Sequence, residues 1–174
     1  MADQDGSRAA LPRLLPDRPA GGPASLAEHL ARHGPPLSGR TDPARRSWLI
    51  AEVDRAGLTG RGGAAFLTAR KLAAVAAGRR HPVVVANGTE GEPASAKDKV
   101  LLAREPHLVL DGAAAAAAMV GADEVVVVAH PAVCEIVADA AAAERRHAAT
   151  DQVRIRIVTA ADGFVACAPR YCPN

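Results

Sequence analysis

Four consecutive valines, Val125, Val126, Val127 and Val128, constrain this chain more than any other feature. Their β-branched side chains are stiff at χ1 and suit a pleated strand. A short run without a polar member predicts a strand buried on both faces, as in parallel sheets. That strand is expected over residues 124–129. Two further runs have strand length: the apolar residues 82–86, and residues 153–159, where Arg alternates with Ile or Val. The other stretches are helical in length and pattern: 67–77 closed by Gly78, 98–104 broken before Pro106, the alanine-rich 107–120, and 132–147. Strands that alternate with helices argue for a parallel α/β sheet with right-handed crossovers.

Ahead of the first strand the punctuation is helical. Residues 1–24 are rich in Pro, Gly, Ala and Arg and read as a disordered or loosely ordered tail. Ser25-Leu26-Ala27-Glu28 is a capping box, so a short helix runs to about His33, where Gly34-Pro35-Pro36 breaks it. Asp42 and Pro43 supply an N-cap and a first-turn proline for a second helix through Trp48, Leu49, Val53 and Ala56, which stops at Gly57. The expected organisation is a tail over 1–24, N-terminal helices over 25–57, an α/β domain over 58–166 and an aberrant tail over 167–174.

A chain of 174 residues holds one domain with a real core and is too short for two ordinary ones. With one Trp, one Tyr and two Phe, that core must be built from Ala, Val and Leu. The net charge of +2 is spread along the chain, with no basic run interleaved with aromatics, which argues against a nucleic-acid partner. No apolar stretch reaches transmembrane length without charge. Acids and prolines occupy the N-terminus where a secretory signal needs an apolar core. Direct membrane insertion is therefore not expected, and the expected location is cytoplasmic. Cys134, Cys167 and Cys172 suggest no disulfide framework and fall short of a four-ligand zinc or iron–sulfur set.

Residues 58–68 form a glycine-rich turn. Gly60-Arg61-Gly62-Gly63-Ala64-Ala65 fits the loose pattern G-x-G-x-x-G/A. The dinucleotide fingerprint needs a strand before its first glycine, and here a helix and a short linker precede it, so the standard fingerprint is rejected. The physical logic survives. Three glycines let the backbone approach a phosphate or a flavin ring, and the helix that follows directs free N–H groups and its positive dipole end to the same place. Arg61 adds charge-assisted hydrogen bonds. A turn that merely needs positive φ stays open as the competing reading. A Walker-type phosphate loop is disfavoured, because Lys71 falls too far from the glycines.

The loop over residues 87–98 follows directly on a strand, and ligands of open α/β sheets sit beyond the carboxyl ends of strands. Glu90 and Glu92 can accept hydrogen bonds from ribose hydroxyls or a carboxamide, and Asn87 can bind a ring edge or a ribityl chain. The competing reading is a solvated charged turn. Of the 21 Lys and Arg residues only Lys71, Lys97 and Lys99 are lysine, and all lie in the window that begins at the glycine turn. Lysine and arginine are not interchangeable at a site, which favours a site there.

Together these residues carry a resemblance. Gly57-Leu-Thr-Gly-Arg-Gly-Gly-Ala-Ala-Phe-Leu-Thr-Ala-Arg-Lys71 resembles the signature G-L-R-G-R-G-G-A-G-F-P-T-G-x-K. Asn87-Gly-Thr-Glu-Gly-Glu-Pro-Ala-Ser-Ala-Lys-Asp98 resembles N-x-D-E-x-E-P-G-T-x-K-D. In this order and spacing they are similar to the FMN- and NADH-binding subunit of respiratory NADH:quinone oxidoreductase, and to related subunits of NAD-linked hydrogenases and formate dehydrogenases. The similarity covers roughly residues 43–166.

The resemblance implies an α/β fold with a Rossmann-like parallel sheet flanked by helices, incomplete at the C-terminal end, with a helical N-terminal extension. It implies FMN as cofactor and NAD(H) as substrate. Hydride passes from NADH to the flavin, and electrons pass on to iron–sulfur partner subunits of a complex peripheral to a membrane. By the same resemblance Gly60, Arg61, Gly62, Gly63 and Lys71 hold FMN together with Asn87, Thr89 and Glu90. Phe66 stacks near the adenine or nicotinamide, with a core anchor as its competing role. Glu92 contacts NADH. No catalytic side chain and no metal ligand are implied, since the flavin carries the chemistry.

The sequence departs from the signatures at several positions. Thr89 stands where the family has Asp, Ala65 replaces a glycine and Leu67 replaces a proline. Residues 153–166 resemble the strand that leads in the family into G-E-E-x-A-L, but Cys167-Ala-Pro-Arg-Tyr-Cys-Pro-Asn174 follows instead. The expectation is a truncated member, through a reading-frame change near codon 167 or a truncated gene model, without the family's 4Fe-4S cluster domain. The alternative to flavin-dependent NADH oxidation is a non-catalytic nucleotide-binding or assembly module with no turnover.

Overall fold

The valine run becomes the middle strand of a three-stranded sheet. In chain order the elements are α1 (Leu26–His33), α2 (Pro43–Arg55), α3 (Thr68–Ala76), β1 (Val84–Gly88), α4 (Lys97–Arg104), α5 (Pro106–Val120), β2 (Glu124–Ala129), α6 (Pro131–His147) and β3 (Arg154–Thr159). This computed structural model describes residues 14–16, 21–37, 41–60, 65–90, 94–147 and 153–160. The sheet order is β1-β2-β3, and both pairings are parallel. Parallel neighbours need long crossovers, which α4 with α5 and then α6 provide. The expected α/β class with a parallel sheet and flanking helices is the observed one.

Register and burial follow from the period-2 geometry of strands. Val84 pairs with Val125, Ala86 with Val127 and Gly88 with Ala129, and across β3 Ile155 and Ile157 continue the same rows. That face packs on Leu102 of α4, Leu110, Ala113 and Ala117 of α5, and Val133, Val137, Ala140 and Ala141 of α6. Val125 and Val127 are fully buried, and Val126, on the opposite face, is nearly so. The opposite face of β1 is open: Val85 is 60% exposed, and Val83, just ahead of the strand, is 51% exposed. Beside it Arg156 Nε donates to Glu124 Oε1 at 3.0 Å across β2 and β3. Small side chains let the helices approach the sheet closely, which is how a chain almost without aromatics closes its core.

The first strand lies two residues later than the apolar run suggests: Val84–Gly88 rather than 82–86. Pro82 has no N–H for a ladder, and pairing with β2 continues as far as Gly88 opposite Ala129. Glycine is needed there, because a Cβ on Gly88 would lie 2.9 Å from Val128 O and 2.5 Å from Leu102 Cδ1. Asn87 therefore belongs to the strand and not to the loop that follows.

The helix ends match the sequence signals. Ser25 Oγ accepts from Glu28 N–H while the Glu28 carboxylate accepts from Ser25 N–H at 2.8 Å, and Asp42 caps α2 through Arg45 N–H at 2.7 Å. Gly34 and Gly121 end α1 and α5 with φ of 78° and 74°. A polar cluster docks α1 on the helical layer. His29 Nε2 lies 2.7 Å from Asp111 Oδ2 of α5, and its ring is 5.6 Å from that of His107. His107 Nδ1 in turn lies 2.7 Å from Glu144 Oε1 of α6. Just before α1, Ala24 is buried and its N–H donates to Arg104 O at 2.8 Å. Residues 1–13, 17–20 and 161–174 lie outside the described residues, and with them most of the expected N-terminal tail and the expected aberrant C-terminal tail. No helix among the described residues is long and apolar enough to cross a membrane.

Candidate functional site

The carboxyl end of β1 carries the first half of the site. Asn87 is exposed, and its Oδ1 accepts from Thr89 N–H at 3.1 Å and from Thr89 Oγ1 at 2.6 Å. This is the local turn that Asn favours. Thr89 is buried, so its hydroxyl is fixed. Glu90 turns away from solvent, its side chain 6% exposed. Glu90 Oε1 accepts from the N–H groups of Asp98 and Lys99 at 2.9 and 3.0 Å, and Lys99 Nζ approaches the other oxygen at 4.0 Å. It therefore caps the first turn of α4 from eight residues upstream, where Ala96 at the N-cap position supplies no side-chain cap of its own. Burial works to raise the Glu90 carboxyl, but hydrogen bonds from the backbone of Lys99, Glu90 and Asp98, with the Lys99 charge, hold it below its ordinary value. The carboxylate is a fixed negative charge at a helix N-terminus.

The glycine turn carries the second half. Thr59 and Leu67 form an antiparallel bridge, Gly60 N–H donates to Phe66 O at 2.9 Å, and Thr68 N–H donates to Leu58 O at 2.9 Å. The turn is thus a loop closed at its base, leading straight into α3, whose N-cap Leu67 makes no side-chain cap bond. Phe66 is 48% exposed, and Lys71 Nζ lies 5.4 Å from its ring centroid. This is a cation–π contact on the surface, so Phe66 is not a core anchor. Gly60 is exposed, and a Cβ there would meet only backbone atoms of Phe66 at 3.8 Å or more. The fold itself leaves room for a side chain at that position.

Of the ten residues singled out from the sequence, Gly60, Phe66 and Lys71 thus form one group and Asn87, Thr89 and Glu90 another. The groups are linked through the body of the domain: α3 packs on α5, and α5 on β1. Arg61, Gly62, Gly63 and Glu92 lie outside the described residues. Three features were not drawn from the sequence. One is the Thr59–Leu67 bridge, which no local pattern announces. Another is the positive φ of 41° at Ala65, where the family signature has glycine. The third is the capping of α4 by Glu90, for which the uncapped start of α4 was the available sign.

Comparison with known proteins bears on this geometry. The family model described as the Nuo51 FMN-binding domain matches residues 53–170. An NADH-quinone oxidoreductase subunit of Rickettsia bellii (strain OSU 85-389) is 38% identical over 79 residues, which are 45% of this chain and 19% of that protein. Its counterpart in Rhizobium meliloti (strain 1021), also an NADH-quinone oxidoreductase subunit, is 40% identical over 80 residues, 44% of this chain and 18% of that protein. Among solved structures, an NAD+-reducing NiFe-hydrogenase in the H2-reduced state aligns with a TM-score of 0.56 and 30% identity, over 67% of this chain and 21% of that one. The chain spans about one-fifth of the length of these relatives. α1 and most of α2 precede the matched region, whereas the glycine turn, the end of β1 and the whole sheet fall inside it. By its fold, its two signature segments and this match, the chain belongs to the Nuo51 FMN-binding domain family.

Proposed function

We propose that this chain is the flavin-holding part of an NADH-oxidising protein. In this reading FMN binds between the glycine turn and the carboxyl end of β1, and NADH meets it there. The observation that carries the reading is the glycine turn. It is closed at its base by the Thr59–Leu67 bridge, bears an exposed Gly60 that the fold does not require, and leads into a helix start without a side-chain cap. Such a backbone suits a phosphate or a ring laid close against it.

The donor set fits FMN. Lys71 and the α3 N-terminus offer positive charge for a phosphate, and the outward amide of Asn87 offers N–H groups for a ring carbonyl or a ribityl oxygen. Gly60, Lys71 and Asn87 would hold the cofactor directly, with Arg61, Gly62 and Gly63. Thr89 and Glu90 would support it by fixing Asn87 and α4. Phe66 offers a face for a stacked base, and Glu92 a contact for NADH. When bound, FMN supplies the acceptor for a hydride from NADH and a donor of single electrons. The protein's own task is to bind, orient and shield it.

In this reading the chain receives electrons through FMN. It would hand electrons to an iron–sulfur partner subunit of an NADH dehydrogenase, hydrogenase or formate dehydrogenase complex, in the cytoplasm and peripheral to a membrane. The second reading is a nucleotide-binding or assembly module without turnover, favoured by the neutral Thr89 where the family signature has Asp. Anaerobic addition of NADH to the FMN-loaded protein separates them. Bleaching of the flavin absorbance is expected for the first. A flavin that binds and stays oxidised supports the second.

A further inference from the structure

The contacts at the end of β1 fix the direction of a single amide group, and that direction names the chemistry it can meet. A backbone N–H can only donate, so the atom 3.1 Å from Thr89 N must be the oxygen of the Asn87 side chain. Thr89 Oγ1, 2.6 Å from the same oxygen, then acts as a second donor to it. Both donors belong to a residue that is 8% exposed, while Asn87 is exposed. With its oxygen engaged by these two bonds, Asn87 presents its NH2 outward. Beneath it the strand cannot shift: Asn87 is in register with Val128, and Gly88 is pressed between Leu102 and Val128 O.

We infer that Thr89 is a positioning residue that locks the Asn87 amide with its donors outward, so that the part of the ligand met at the end of β1 is a hydrogen-bond acceptor. For FMN this means a ring carbonyl, a ring nitrogen or a ribityl oxygen used as acceptor. The inference rests on the flavin reading for the identity of the ligand and on this chain's geometry for the rest. The hydroxyl is what matters at residue 89. An ionised Asp, the residue of the family signature, has no proton to give to Asn87 Oδ1. The orientation is thus a property of this chain's own Asn–Thr pair.

Three variants test it, with three readouts. T89S keeps the hydroxyl, T89V removes it at nearly constant shape, and N87D keeps an acceptor for Thr89 N–H while replacing the outward donors by an oxygen. Side-chain 15N relaxation of Asn87, measured without any ligand, is expected to show an ordered amide in the wild type and T89S and a mobile one in T89V. FMN titration is expected to give wild-type affinity for T89S, and a loss of about tenfold for T89V and at least as much for N87D. Protection of the Thr89 amide proton should persist in N87D, which shows that the turn is intact. Unchanged FMN affinity in both T89V and N87D, with wild-type uptake normal, overturns this inference and leaves the flavin reading standing. No uptake by the wild type overturns the flavin reading, and the identity of the ligand with it. An Asn87 amide equally mobile in wild type and T89V overturns the positioning role whatever the titration gives.

Discussion

Ala65 bends the chain into the glycine turn with φ of 41°, a conformation that L side chains adopt at a cost of about 1–2 kcal/mol. Glycine there would avoid that cost and lose about 0.5–1 kcal/mol through its freer unfolded chain. A65G should therefore stabilise the protein by roughly 0.5–1 kcal/mol, read as a higher urea midpoint with unchanged slope. Glu90 makes the second residue-scale prediction. Its carboxyl is held below its ordinary value of 4.5, so its charge contributes stability that is fully present above that value and lost as pH falls through the lowered one. The stability gap between wild type and E90Q should be constant at neutral pH and shrink below pH 4.5; a gap that does not change on acidification would contradict the capping role. At this scale the sequence was legible in kind rather than in geometry. The N-G-T triplet announces a turn, but whether Asn87 gives its oxygen to Thr89 or to a ligand depends on where β1 ends. Glu90 reads as a ligand contact in one dimension and as a helix cap in three, because its partners are eight and nine residues away.

Among elements, the docking of α1 and the tie between α5 and α6 use buried polar side chains beside the apolar core. Glu144 and His107 are both nearly buried and 2.7 Å apart. Removing the carboxylate in E144A leaves His107 without this partner in the interior, which costs about 1–3 kcal/mol. The exposed Arg55–Glu52 pair, also 2.7 Å long, has side chains 69% and 36% exposed, and E52A should cost at most about 0.5–1 kcal/mol. Parallel denaturant titrations of the two variants check the contrast; equal losses would mean that the buried pair carries no special weight. The elements themselves were largely legible: caps at Ser25 and Asp42, the break at Gly34, and the valine strand stand where local chemistry puts them. The displacement of β1 by two residues was not, because strand limits are set by the partner strand. The histidine–carboxylate cluster was equally hidden. Its bonded partners are up to 82 residues apart, and an isolated His on a helix carries no sign of its partner.

Over the whole molecule, a parallel sheet with helices packed against one face places two signature segments on one domain, 16 residues apart in the chain and joined through α3, α5 and β1. Class and family could be read from strand–helix alternation and from the two segments together. The closure of the glycine turn could not, since it depends on a bridge between Thr59 and Leu67 across the glycines. The claim that unites these scales is that the domain holds FMN. Equilibrium titration of the purified chain with FMN, followed by the flavin's visible absorbance and fluorescence, tests it most directly. A single saturable site that quenches or shifts the flavin signal, and that is weakened by K71A and N87D in the folded protein, is the predicted result. A folded wild-type chain that leaves the FMN spectrum and fluorescence unchanged at every concentration would contradict it.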